Sequence, residues 1–447
     1  MKASSVDAGR SGPRGRISAL AASALRPGIM RDNLVLFGLS MVVNVLGFAF
    51  QFVMARLLTP GEWAEMIAAI SLLALLSVPG AALNSLVIKV SGDLFVQGRG
   101  QQLWRWCTQA AARVGMVGLA IAVALGLTSG WLSDLLQFDG STSILVVGSA
   151  IVLMLISIVV KGALAGTSSF LFLGLITVAE TASRLGAGAG MVLLGWAAAG
   201  AVAGSTVGAS VAIVGGAIFL FRVTRRAHSS EPAEAQPQLG SRDQLRVVGI
   251  AFALAIVLNA DILFVKAYFT ETQAANYSAV ALIGRTLFFA TAPVSIVLLP
   301  HVIRQFSSGN SIVPSLLVSI GLIGAIVTVV ALTVLLFPTY VFAIAFPDQY
   351  DLDTTLLSIY IVAGTLLSLS YVLAHLNIGA GNLRPWSFML VAAVAMLIAM
   401  FSWHESVQDL ATILTITLAA TTVYLAAETY LLVRRPVSGR TAGTASK

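Results

Sequence analysis

The chain has 447 residues, 58% of them hydrophobic and only 10% charged, against about 25% charged in an average soluble domain. So few charges cannot cover a water-facing surface, which excludes a soluble globular protein. The formal net charge of +7 argues little for nucleic acid, because in so apolar a chain Lys and Arg gather on cytoplasmic loops. The single Cys107 excludes an intrachain disulfide and any Cys-rich metal site.

Residues 1–32 are basic, small and rich in Pro, Gly and Ser, with no apolar core of a signal peptide, and read as a disordered cytoplasmic arm. A membrane span needs about 20 apolar residues. Such stretches follow at 33–55, 63–88, 109–129, 143–164, 169–194 and 197–221. The segment 222–245, with Arg225-Arg226 and the polar run SSEPAEAQPQLGSRD, cannot bury a core and reads as a cytoplasmic linker. Apolar stretches resume at 246–267, 274–300, 312–337, 355–380, 386–403 and 409–433, and residues 434–447 form a cytoplasmic tail. The expected architecture is all-α and polytopic, with about twelve transmembrane helices in two six-helix lobes, 33–221 and 246–433.

Loop charges orient these spans. With both termini cytoplasmic, inside segments hold about 21 Lys and Arg, while outside loops hold little more than Arg56. The halves also repeat. Arg31-Asp32-Asn33 and Arg242-Asp243-Gln244 open their first helices at an offset of 211, which Gly38/Gly249 and Thr59/Thr270 keep. In each half the second span carries a proline, Pro79 in LLALLSVPG and Pro293 in LFFATAPVS, read either as a gating kink or as an ordinary packing kink. Six is even, so the repeats insert the same way up, about a pseudo-two-fold axis along the membrane normal.

Charges inside the spans are functional candidates, since each costs about 2.5–3.5 kcal/mol at mid-bilayer on insertion scales. Glu180 and Arg184 lie at i and i+4 near the midplane of the fifth span, in the order favoured for an intrahelical pair. In the seventh and eighth spans Asp261 comes within reach of Arg285 if their faces meet. Both pairs read either as neutral helix–helix glue or as parts of a positive, water-filled cavity suited to an anionic, phosphate-bearing substrate. Lys266 is a further candidate for the cavity, though close enough to the outer boundary to snorkel to water instead, and Lys161 and Lys89 read as snorkelling at the cytoplasmic side. Asn44 and Gln51, seven apart on one face, together with Asn84, Asn259, Tyr277 and Asn377, offer hydrogen bonds to a substrate or between helices. His375 reads as structural. No nucleophile elbow, H-E-x-x-H or Walker loop is present, so neither enzyme, metal site nor cofactor is expected, and transport must draw on an ion or substrate gradient.

The run ARLLTPGEWAEMIAAISLLALL (Ala55–Leu76) resembles the outer turn between helices 1 and 2 of the polysaccharide transporter (Wzx-like flippase) family, with Ala64 where that family usually has Gly. NADILFVKAYFTETQAANYSAVALIGRTLFFATAPVSIVLLP (Asn259–Pro300) resembles its helix 7–8 hairpin, with Asp261, Tyr277 and Pro300 in matching places. LNIGAGNLRPW (Leu376–Trp386) resembles it after helix 10. The resemblance implies the two-lobed fold of the multidrug/oligosaccharidyl-lipid/polysaccharide (MOP) exporters. It further implies alternating-access movement of a polyprenyl-pyrophosphate-linked oligosaccharide across a bacterial inner membrane. The implied partners are that anionic lipid-linked oligosaccharide, membrane lipid, and a polysaccharide polymerase with other assembly proteins. The alternatives are a cation-coupled multidrug or metabolite antiporter of the same superfamily, and a polysaccharide assembly enzyme or partner.

Overall fold

A computed structural model describes residues 27–226, 241–307 and 313–434. The expected arm up to residue 26, most of the linker and the tail beyond Arg434 lie outside the described residues. Helix α1 begins at Pro27, six residues earlier than the hydropathy suggests, because polar residues extend a helix beyond the hydrocarbon at no cost in satisfied backbone.

The first lobe comprises α1 (Pro27–Leu57), α2 (Pro60–Ser77), α3 (Pro79–Val96), α4 (Gly100–Leu127), the short α5 (Ser129–Leu135), α6 (Thr142–Gly166), α7 (Phe170–Met191) and α8 (Ala197–Arg226). The second comprises α9 (Ser241–Tyr268), α10 (Glu271–Ser307), α11 (Val313–Leu336), the short α12 (Pro338–Ala345), α13 (Thr354–Gly379), α14 (Pro385–Ser402) and α15 (Val407–Arg434). Nine stretches among the described residues are long and apolar enough to span a membrane, or ten counting the α11–α12 pair bent by 95°. One of these, Phe170–Arg225, contains both α7 and α8, which pack along each other as two crossings. With α10, the crossings come to about twelve.

Local chemistry explains the ends of these elements. Thr59 and Glu62 close a reciprocal capping box at the start of α2. Thr270 and Gln273 do the same at α10, through Thr270 N–H to Gln273 Oε1 at 3.1 Å and Gln273 N–H to Thr270 Oγ1 at 3.4 Å. The repeat offset of 211 therefore joins two equivalent caps. Pro79 divides the second span into α2 and α3. Its proposed counterpart Pro293 does not: α10 runs unbroken through it, since neighbouring helices in a bundle accommodate an interior proline. The α7–α8 connection is a five-residue π turn, Val192–Trp196, where Gly195 takes φ 89°, a left-handed conformation open to glycine without cost.

In the first lobe α7 packs against α8 and α1, and α6 against α3, α4 and α8; in the second α13 packs against α10 and α15, and α9 against α14. The α10–α13 crossing is close because Gly284 and Gly364 face each other: a Cβ on Gly284 would lie 2.8 Å from the Tyr360 carbonyl oxygen.

Candidate functional site

The lobes meet at the end opposite that where α1 starts and α15 finishes. There the Arg56 guanidinium donates to the carbonyls of Ala345, at 3.0 Å, and Ile344. Tyr350 Oη donates to the Ala55 carbonyl at 3.2 Å, and Gln349 Nε2 to the Leu58 carbonyl at 3.2 Å. Trp63, fully buried, stands edge-on to Phe346 and Tyr350, each 5.5 Å away. Burial pushes the Tyr350 phenol above its ordinary range, so it remains a donor throughout physiological pH. Arg56, the one cation expected on the outside, thus joins the two lobes.

Toward the other end the lobes enclose a cavity of about 640 Å³. Its wall draws on α2, α3, α6 and α7 of the first lobe and α9, α10 and α13 of the second. Most of the lining is aliphatic, with Phe288 and Tyr371 edge-to-face at 5.0 Å. Ser77, Asn84 and Asn259 are polar, and Lys161 is the charged residue on the wall. Val78 and Gly80 flank the Pro79 break and line the cavity, which places that helix end at the wall. Asn259 donates to the Ala255 carbonyl at 2.9 Å and so keeps its amide oxygen for the cavity.

The charged pairs are arranged differently from the sequence expectation. Glu180 does not pair with Arg184: Lys161 Nζ reaches its two carboxylate oxygens at 3.0 and 3.2 Å. Lys161 is therefore held in an ion pair with a half-buried carboxylate on the neighbouring α7, not extended alone as snorkelling would have it. Arg184 instead lies over the Phe50 ring, 4.3 Å from its centroid, and does not line the cavity. Lys266 does not reach water either. It is 2% exposed at the lobe junction, where the charges of Glu271 and Glu65 act on it. Glu65 is also buried and accepts from Asp139 N–H at 2.9 Å and from Ser143 Oγ.

Asp261 and Arg285 do meet, Arg285 Nη2 approaching the two carboxylate oxygens at 2.7 and 2.8 Å. Tyr277 Oη donates to the same carboxylate at 3.3 Å, and so does Tyr360 Oη, from α13. Asp261 is fully buried and the cluster does not line the cavity. Neither Asn44 nor Gln51 lines it. Asn377 is helix glue, donating to the Leu373 carbonyl at 2.9 Å and Thr429 Oγ1 at 2.8 Å, and His375 Nδ1 lies 2.8 Å from the Tyr371 carbonyl. Sequence reasoning missed Tyr360, Glu65 and the Phe288–Tyr371 wall. An aromatic or acidic residue within a span has no local mark of what it faces.

No family model and no curated sequence matches the chain. Solved structures do. A multidrug resistance MATE family transporter of the MOP superfamily, inward-facing, is 14% identical with a TM-score of 0.66, covering 92% of this chain and 100% of that one. The chain has the fold of a MATE transporter. The eukaryotic MATE transporter AtDTX14 is 12% identical with a TM-score of 0.62, over 92% of this chain and 98% of that one. An outward-facing MATE transporter gives 14% and 0.59, over 93% and 97%.

Proposed function

We propose that the protein is a secondary transporter working by alternating access, that its terminal end is cytoplasmic, and that its cavity carries a drug-sized amphipathic organic molecule out of the cell against an ion gradient. The observation that carries this reading is the cavity wall. A volume of about 640 Å³ falls in the range of sites for drug-sized ligands, lined by apolar surface with few polar groups. Its charged residue, Lys161, is neutralised by Glu180. A phosphate-bearing headgroup would instead want free cations, and Arg285 is held by Asp261 outside the cavity. In this reading a proton or a substrate cation competes with Lys161 for Glu180, which couples carboxylate occupancy to the state of the wall.

A second observation favours the lipid-linked oligosaccharide flippase of a bacterial inner membrane. An apolar recess of about 380 Å³ lies between Phe52 of α1 and Ile283, Val330 and Val341 of α10, α11 and α12, a shape that suits a polyprenyl chain. That reading would bring the polysaccharide polymerase and other assembly proteins as partners.

Proteoliposomes containing a pH dye separate the two. Amphipathic cations should drive counterflow of protons in the wild type, and Glu180→Gln should lose it while still inserting. Absence of drug-driven flux, with accumulation of an undecaprenyl-linked oligosaccharide on the cytoplasmic leaflet of a deletion strain, would sink the antiporter and support the flippase.

A further inference from the structure

The apolar recess of about 380 Å³ lies on the seam between the lobes. Phe52 of α1 is its first-lobe wall, and α10, α11 and α12 supply the rest, the last two on either side of their 95° bend. Both hydroxyls on the wall are engaged by their own helices. Thr286 Oγ1 donates to the Ile283 carbonyl, and Thr333 Oγ1 to the Val329 carbonyl at 2.8 Å. A trapped water needs two to four polar partners, which this wall does not offer, so the fitting occupant is apolar. Val329 and Ile344 on the wall are exposed apolar side chains, so the recess opens on the bilayer.

A cation stands at one end of it. Arg56 donates to the carbonyls of Phe52 at 3.2 Å, Ala345 at 3.0 Å and Ile344, and all three of these residues line the recess. A guanidinium carries five N–H groups, so these three bonds leave two, Nε–H among them, for an outside acceptor. The side chain is exposed and forms no salt bridge among the described residues. Arg56 also lies at the end of a span, where headgroups lie, and the exposed Tyr340 of α12 belongs to the same level. An apolar slot open to the bilayer, with a free cationic edge at its mouth, matches the two parts of an anionic phospholipid.

We propose that the recess holds one acyl chain of an anionic phospholipid of the bilayer, with the lipid's phosphate on Arg56. This assigns the recess to a resident lipid rather than to a transported polyprenyl chain, and it does not depend on what the central cavity carries. Because Phe52 belongs to one lobe and the remaining wall to the other, the bound chain bridges the lobes beside the Arg56 and Tyr350 contacts.

The test places the full chain in phosphatidylcholine nanodiscs with a trace of phosphatidylglycerol that carries a photoreactive diazirine in its acyl chain. Irradiation should concentrate the label on residues 329–345, and added unlabelled phosphatidylglycerol should displace it. Arg56→Gln should lower the labelling by at least about tenfold, the loss of a hydrogen bond between charged groups. Val330→Trp, which fills the recess, should remove it. Even labelling of all lipid-facing helices, or labelling that either variant leaves unchanged, overturns the site. Displacement by undecaprenyl phosphate but not by phosphatidylglycerol overturns it too, and gives the recess to a polyprenyl substrate. Should Arg56→Gln fail to fold, Val330→Trp and the competition decide between these outcomes.

Discussion

Asp261 is a carboxylate with no exposed surface, held by one guanidinium and two phenols. Removing one partner of such a pair leaves an uncompensated charge, so Arg285→Ala should cost about 3–5 kcal/mol, read as a loss of thermal stability in detergent. Tyr360→Phe should cost about 1.5–3 kcal/mol by the same measurement, the range for a hydrogen bond to a charged group. The exchanged pair Asp261→Arg with Arg285→Asp should fail to restore stability, since Tyr277 and Tyr360 would then face a cation with donors; recovery would mean that the tyrosines contribute nothing. The Asp261–Arg285 pair was legible in the sequence because charges in adjacent spans have few partners to choose from. Glu180 was not, because helical spacing tells which residues share a face and not which neighbouring helix that face meets. Its true partner Lys161 is 19 positions away, on α6.

Among the elements, the twelve crossings and the matched caps Thr59–Glu62 and Thr270–Gln273 follow from hydropathy and from an offset of 211. The short helices α5 and α12 did not, since seven or eight residues between spans read as loop. Pro79 and Pro293 show the limit of pattern matching: the same residue type ends one helix and is absorbed within another. The α10–α13 crossing depends on Gly284 and Gly364, and it positions Tyr360 for Asp261. Gly364→Val would push its side chain into the Gly284 carbonyl, an overpacking that should cost about 1–3 kcal/mol. A matching loss of stability in Tyr360→Phe combined with Gly364→Val, smaller than the sum of the two, would mark them as coupled.

For the whole molecule, alternating access requires the far-end seal of Arg56, Trp63, Gln349 and Tyr350 to part. Bridging Leu58→Cys and Gln349→Cys with a reducible thiol cross-linker, in a Cys107→Ser background, should stop transport and let it resume on reduction. Continued transport through the intact bridge would mean that this end does not open. Nothing in the local sequence announced this seal, because its donors meet carbonyls nearly 300 positions away.

The charges held within the two lobes nearly cancel. Glu65 and Glu180 offset Lys161 and Arg184 in the first lobe, and Asp261 offsets Arg285 in the second, where the buried Lys266 lies at the junction in the field of Glu65 and Glu271. A unit charge crossing the full membrane field exchanges about 2.3 kcal/mol per 100 mV with it. Rocking of the balanced first lobe therefore does little electrical work, and the membrane potential hardly biases its resting tilt. Capacitive currents on voltage steps should be small in the wild type and grow in Arg184→Gln or Glu65→Gln, each of which leaves one charge of that lobe unmatched. The first lobe in its native form moves through the field as an electrically silent partner.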